Sequence, residues 1–423
     1  MRKYGGAATH MQQSFNKVLE EQEALLDSLT YLVGSRETIQ NIYNVTARKP
    51  FDIEILDFLN DVSRVLMANR EARLFSDVIT FAFWIRKSST AKLKDRFDKE
   101  DGNTHLGRGV AFHIAPSNVP VNYAYSLATG LMTGNANVVR VPSKDFSQIR
   151  IINQAIIDTL NMEAYAGIRN QIYLIRYDRS RKINNLLSAM ADIRIIWGGD
   201  ATIAELRKSP IGPRASEITF ADRFSLAVID SESYLEREDK SGIAEDFYND
   251  TYLTDQNACT SPRMVIWLGE QTEIAKEIFW RQLHKVVERK YTFQSVQGIN
   301  KLTSSYLLAA SHRGVTIESQ PDNLIVRVKV PEIPERLMEL KDNSGYFFEY
   351  DCGEILELKD LCNDMRCQTI SYIGDRDMFI PLWKSGVKGI DRIVPVGQTM
   401  NFDFIWDGYN LYERMTRTIV VNG

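Results

Sequence analysis

Gly109-Val110-Ala111-Phe112-His113-Ile114-Ala115-Pro116-Ser117-Asn118-Val119-Pro120 reads as an apolar strand that stops at a proline-bounded turn, and a helix running to about Met132 follows it. The same unit then repeats. Asn137-Val138-Val139-Arg140-Val141 is a second strand, broken by Pro142-Ser143, and Phe146, Ile149, Ile152, Ile156 and Leu160 mark a helix. Gln171–Ile175, a helix to Met190, Ile193–Trp197, a helix from Ala201 to Arg207, and Ser225–Ile229 continue the alternation. Strands that alternate with helices pair in parallel, carry helices on both faces and bind ligands at their carboxyl ends. The expected class is α/β, with a parallel-sheet nucleotide-binding domain.

Upstream, apolar residues recur at helical spacing from His10 to Leu32, with Gly34 as a stop, then over Ile53–Leu66 and Leu74–Trp84. Lys87 to Asn103 alternates in charge sign and reads as a solvated hairpin or arm, so residues 87–107 are a candidate oligomerisation arm. Downstream, Ser231 to Asp239 reads as an acidic connector. A second alternating set follows, with a helix over Ile274–Val287 and strands at Leu324–Val330 and Thr369–Ile373. The expected layout is residues 1–230 for the helices and the nucleotide-binding domain, 231–395 for a second α/β catalytic domain across a cleft, and 396–423 for an aromatic tail that packs on a domain or a neighbouring subunit.

The chemistry concentrates at Tyr252-Leu253-Thr254-Asp255-Gln256-Asn257-Ala258-Cys259-Thr260-Ser261-Pro262-Arg263, just before the buried-strand pattern Met264–Leu268. A cysteine usually packs as a small hydrophobe. Here its neighbours are polar, which a core wall rarely is, and a thiol at the mouth of a strand can face a cleft. Cys352, Cys362 and Cys367 match no paired zinc spacing, and the five histidines are scattered, so no metal site is expected.

For phosphate, Trp197-Gly198-Gly199-Asp200-Ala201-Thr202 closes a strand with glycines and opens a helix. It reads equally well as an ordinary strand-to-helix turn capped by Asp200. Gly107-Arg108-Gly109 precedes its strand and lacks a third glycine, so it is no dinucleotide fingerprint.

Charge is nearly balanced, 51 basic against 55 acidic residues, which argues against a nucleic-acid or anionic-membrane partner. No run of about 18 apolar residues occurs and Met1–Gly6 lacks a signal-peptide core, so a cytoplasmic protein is expected.

In order, these stretches resemble the aldehyde dehydrogenase superfamily and, within it, the LuxC-type acyl-CoA reductases of bioluminescent fatty-acid reduction. Pro116–Pro120 resembles the Pro-x-Asn-x-Pro turn, Val139–Lys144 the adenosine-side loop, Trp197–Asp200 the pyrophosphate turn and Asn257–Thr260 the nucleophile motif. Asp255–Arg263, and Asp391–Pro395 with Trp406–Tyr409, resemble the reductase branch.

The resemblance implies reduction of a fatty acyl-CoA or other acyl thioester to an aldehyde by NADPH or NADH. Cys259 would be the nucleophile, Asn118 an oxyanion donor beside the Cys259 amide, and coenzyme A the leaving group. It places Ile114, Ser117, Arg140, Ser143, Lys144, Gly198, Gly199, Asp200 and Glu349 at the cofactor, Glu349 on its nicotinamide ribose. It also implies a homo-oligomer and an acyl-activating partner enzyme.

Three departures qualify the match. The hydrolytic Glu-Leu-Gly-Gly-Lys stretch is replaced by Ser216–Ser225, where Phe220 takes the glutamate position and Glu217 fits only with a gap. The lysine that usually holds the adenosine ribose aligns with Val141, which leaves NADPH and NADH both open. The spacing after Glu349 differs by one residue. Two alternatives are an oxidative aldehyde dehydrogenase and a cysteine acyltransferase or acyl-carrying subunit.

Overall fold

The computed structural model describes residues 21–98 and 104–420, which divide into two compact units, 1–221 with 409–423, and 222–408. The sequence boundary set at 230 thus lies inside the second unit, which begins at Asp222.

The first unit is built on a sheet of six strands. They are β1 (Thr30–Val33), β2 (Val110–Ile114), β3 (Ala136–Arg140), β4 (Ile172–Arg176), β5 (Ile193–Trp197) and β6 (Ser216–Phe220), in the spatial order β1-β4-β3-β2-β5-β6. All neighbours are parallel except β1, which runs antiparallel to β4. Every residue of β2 and β5 is buried, as an apolar run covered on both faces should be. The chain order reverses between β2 and β5, so this sheet has a topological switch point there, and its carboxyl-end crevice is where such sheets bind ligands.

Two expectations change in this unit. The helix drawn from His10 to Leu32 falls partly on residues outside those described. Its end is wrong, because Thr30-Tyr31-Leu32-Val33, rich in β-formers, pairs with β4 instead. Gly34 does end the element, at φ +82°, where a Cβ would lie 2.5 Å from the Tyr173 ring.

The charged stretch from Lys87 is not a hairpin. Lys87–Phe97 is a helix that buries Thr90 and Leu93, three apart on one face, and only its charged face is solvated. Residues 99–103 of that stretch lie outside those described. Thr104–Gly107 then pairs antiparallel with Thr416–Ile419, so the tail returns to the first unit.

The second unit carries a sheet of seven strands. They are β7 (Phe224–Asp230), β8 (Pro262–Leu268), β9 (Thr316–Ser319), β10 (Val326–Lys329), β11 (Tyr346–Asp351), β12 (Cys367–Ile373) and β13 (Arg392–Pro395), ordered β9-β10-β11-β8-β7-β12-β13. Only the β9–β10 pair is antiparallel.

Strand β7 was expected to extend the first sheet. It sits instead between β8 and β12, because β6, unrecognised in the sequence, already forms the first sheet's edge. Ser231–Glu236 is a helix capped by the Asp230 side chain, not an open connector.

The central strands fill two cores. Leu226, Val228, Met264 and Ile266 face one cluster, and Ala227, Ile229, Val265 and Trp267 the other. Each full aliphatic burial contributes about 1.5–3 kcal/mol. That makes β7 and β8 a stiff base for the loop between them.

Candidate active site

In the first unit, the carboxyl ends of neighbouring strands gather most of the expected cofactor residues. Ile114, the last residue of β2, is paired with Arg140 of β3 on one side and Ile196 of β5 on the other. Ser117 and Asn118 are exposed just beyond β2, as are Ser143 and Lys144 beyond β3 and Asp200 beyond β5. The Arg140 guanidinium lies 4.6 Å from the Tyr177 ring centre, and the Lys144 ammonium 4.9 Å from that of Phe146.

The glycine turn differs from the expected one in detail. Gly199, not Asp200, is the N-cap of the short helix Asp200–Leu206. The Gly198 N–H already donates to the Phe220 carbonyl at 3.1 Å, so that amide is committed to the sheet.

Beneath this edge lies a buried polar chain. The Trp197 indole donates to the Ser126 hydroxyl at 3.0 Å, and His113 contacts the Ser126 hydroxyl at 2.7 Å and the Asn137 side-chain oxygen Oδ1 at 2.9 Å. Burial pushes His113 down to about 4, against a weaker upward pull from Asn137, so the ring is neutral near pH 7.

In the second unit, Cys259 sits on the loop entering β8. The helix Lys240–Thr251 runs into a single 3-10 turn, Tyr252–Thr254, and Asp255 and Gln256 then take left-handed backbone angles, φ 51° and 52°. That unfavourable pair is held by side chains. Buried Gln256 accepts from the Gly345 amide at 2.7 Å and donates to the Pro262 carbonyl at 3.1 Å. Buried Arg263 donates to the Asp342 carbonyl at 2.7 Å and also to the Gln256 carbonyl. Asn257 is bridged to Asn343 at 3.0 Å. The polar residues that singled out this stretch are therefore largely its scaffold, which presents Cys259.

Cys259 keeps part of its surface accessible, yet protein crowds its sulfur. Burial first, and the nearby Asp407 second, push the thiol up to about 12, while Gln368 and Arg223 act in the other direction. Gln368 donates to the Asp407 carboxylate, and Arg223 is ion-paired with Asp391. Burial lifts Asp407 to about 7, with Arg223 opposing. In this state the sulfur is a thiol.

Arg223, Gln368 and Asp407 were not singled out in the sequence as neighbours of the nucleophile. The one available signal was the Trp406–Tyr409 stretch, noted for its family character without a role.

Two carboxylates, the expected Glu349 and the gapped match Glu217, are structural. Glu349 is 1% exposed on β11. Its Oε1 accepts the Trp267 and Trp280 indole N–H groups at 2.9 and 2.7 Å, and its Oε2 accepts Arg327 Nε at 2.7 Å. No face is left for a ribose. Glu217 is ion-paired to buried Arg194 and to Arg207, so it is engaged rather than poised as a base. Phe220, at the glutamate position, stacks on Trp197 with ring centres 3.6 Å apart. Among the described residues, no cluster of His, Cys, Asp and Glu could hold a metal, and no helix is long and apolar enough to cross a membrane.

Residues 84–294, about half the chain and including both Asn118 and Cys259, match the family described as acyl-CoA reductase (LuxC). This segment belongs to the LuxC family. The chain is 27% identical over 345 residues to a long-chain acyl-protein thioester reductase of Vibrio harveyi, covering 74% of this chain and 67% of the relative. It is 25% identical over 185 residues to long-chain acyl-protein thioester reductase 2 of Photobacterium leiognathi, where the match covers 43% of this chain and only 36% of that relative.

The fold is that of aldehyde dehydrogenases. An NAD-dependent benzaldehyde dehydrogenase from Corynebacterium glutamicum superposes with a TM-score of 0.63 at 14% identity, covering 90% of this chain and 88% of that one. Lactaldehyde dehydrogenase from Escherichia coli gives 0.61 at 13% identity, covering 91% and 90%. The Methanocaldococcus jannaschii glyceraldehyde-3-phosphate dehydrogenase GapN, solved with NADP, gives 0.61 at 11% identity, covering 95% and 94%.

Proposed function

We propose that this protein reduces a long-chain acyl thioester to an aldehyde through an acyl-enzyme at Cys259. The observation that carries this reading is that the LuxC-matching segment contains Cys259 on a rigidly braced loop with its surface partly open. The Vibrio harveyi relative, a long-chain acyl-protein thioester reductase, supports a long-chain acyl thioester as the substrate class.

In this mechanism the Cys259 sulfur attacks the thioester carbonyl, a new C–S bond forms, and the carrier leaves as its thiol with the proton that Cys259 gives up. Thiol-for-thiol exchange is nearly balanced, so the step needs little driving force. The Cys259 backbone N–H, with the Asn118 amide proposed from resemblance, would stabilise the oxyanion without releasing a proton early. A bound NADPH or NADH would supply the hydride. The thiohemiacetal on Cys259 then expels the sulfur, releasing aldehyde and restoring the nucleophile.

The first unit's donor set fits such a cofactor. Ser117, Ser143, Lys144 and Asp200 are exposed at the carboxyl ends of β2, β3 and β5 beside the switch point, offering hydroxyls, an ammonium and a carboxylate where a dinucleotide is expected. Ile114, Arg140, Gly198 and Gly199 would line the same edge, and Glu349 is not part of this proposed site. The engaged Glu217 and the aromatic Phe220 favour reduction over hydrolysis of the acyl-enzyme, because neither can activate water.

The test follows NADPH and NADH absorbance with acyl-CoA esters of graded chain length. Aldehyde and cofactor consumption are expected with the wild type and not with Cys259→Ala. Carboxylate formed from aldehyde and NAD(P)+ without added coenzyme A would favour the oxidative reading instead.

A further inference from the structure

We infer that the helix Ser295–Ser311, with the open sheet edge beside it, is a surface on which a second copy of this chain docks. The surface lies wholly within the second unit, and the inference does not depend on the role of Cys259. It is also separate from residues 87–107, the arm expected from the sequence.

This helix is inside out. Val296, Ile299, Leu302, Tyr306 and Leu307 recur at helical spacing, so they share one face, and each is 53–64% exposed. The opposite face carries Lys301, Ser305 and Leu308, all buried. Lys301 donates to the Ser344 carbonyl at 2.8 Å and to the Asn323 carbonyl, and the Ser304 hydroxyl donates to the Asp342 carboxylate at 2.7 Å. Lys301 is the helix's only charged side chain, so no charge faces water. The preceding helix, Thr272–Lys290, has the ordinary pattern, with Ala275, Phe279, Leu283 and Val287 inside and Glu277 and Arg281 outside. A monomer seldom leaves so long an apolar stripe in water.

The stripe continues onto the sheet. Among the described residues β9 pairs with β10 alone, and all four of its residues are exposed. Ile317 of β9 lies opposite Val328 of β10, so the two side chains share a face. Val328 and Leu308 belong to one buried cluster, which puts Ile317 on the side that the helix covers. Glu318 points to the other face, where it is paired with Arg327.

Charge decides the occupant. A partner with ionised groups on its contact face would bury them against a stripe that offers no counter-ion. A second copy brings the same uncharged stripe. A two-fold axis passing by Leu302, perpendicular to the helix, sets the copies antiparallel, with the Val296–Ile299 end of one against the Tyr306–Leu307 end of the other. Asn300, Thr303 and Ser311, exposed and uncharged, then form a polar rim around an apolar centre, as in homodimer interfaces. A stable dimer buries about 800 Å² per partner, and a helix about 25 Å long with a sheet edge beside it has that extent.

The experiment measures the mass of the full chain in solution by light scattering after size exclusion, over a range of micromolar concentrations. The wild type should run as a multiple of the single-chain mass. Leu302→Glu, which places two carboxylates at the axis, should halve that mass and weaken association about a hundredfold or more. Ile274→Glu, the same change at an exposed position of the preceding helix, should keep the wild-type mass. If Leu302→Glu fails to fold, Ile299→Lys carries the same expectation.

A wild-type chain that runs as a monomer, or a folded Leu302→Glu variant with the wild-type mass, overturns the inference. Equal loss of association in Ile274→Glu overturns it too. A monomer that binds phosphatidylcholine vesicles, and loses that binding with Leu302→Glu, would give the stripe to a lipid surface instead.

Discussion

The Ser225 hydroxyl donates to the carbonyl oxygen of Cys259 at 2.7 Å, joining the start of β7 to the loop that carries the thiol. The Ser225 hydroxyl oxygen in turn accepts the buried Thr369 amide at 3.3 Å. Ser225→Ala leaves both partners without their bond, at about 1–3 kcal/mol. Chemical denaturation should show that loss, and aldehyde formation should fall in the fraction that stays folded, because the loop loses its anchor on the rigid sheet. A variant with unchanged stability would show that the bond is not formed in solution.

Glu349 gives a separate prediction. Its carboxylate is closed in by two indoles and a guanidinium, so Glu349→Gln should destabilise the second unit by about 3–5 kcal/mol through loss of a buried charge pair. Affinity for NADPH or NADH, measured by fluorescence titration on folded protein, should stay at the wild-type value. A selective loss of nucleotide binding with intact stability would restore the ribose-contact role.

His113 links stability to acid. Its folded value, about 4, lies below the unfolded value near 6.5, so the unfolded chain takes up this proton first. The contribution is fully present above about pH 6.5 and is lost as pH falls toward 4, about 3 kcal/mol over the window. Asp250 and Asp407, raised by burial to about 6 and about 7, act in the opposite direction, since the folded state holds their protons longer. The clean readout is therefore a difference. His113→Gln should be less stable than wild type at neutral pH, with a gap that narrows by pH 4.5. A constant gap would contradict neutral burial of the ring.

Asn118 is exposed beyond β2, so its replacement should leave the fold unchanged. If it serves the oxyanion, Asn118→Ala should lower kcat by about a hundredfold, the usual loss for one such donor. Equal melting temperatures with equal kcat would remove it from the mechanism.

The strands β2, β3, β4, β5, β8 and β12 were legible in the sequence because each is a short apolar run between turn residues, the pattern of a strand buried on both faces. Thr30–Val33 was not, because four residues can continue a preceding helical pattern as easily as begin an edge strand. Nor could periodicity tell which sheet Phe224–Asp230 joins, since that depends on β6 closing the first one. Cys259 stood out through its polar neighbours, several of which prove to be the loop's braces. Arg223, Gln368 and Asp407 stayed hidden because they come from three distant places in the chain. Glu349 misled for the converse reason: spacing marks a carboxylate, but only packing shows that an arginine already holds it.

The most direct test is intact-protein mass spectrometry after mixing with a long-chain acyl-CoA and no reductant. The account predicts one acyl group on Cys259, labile to hydroxylamine, and discharged as aldehyde when NADPH or NADH is added. An unmodified Cys259 in protein that still forms aldehyde, or a Cys259→Ala variant that keeps its rate, would contradict it.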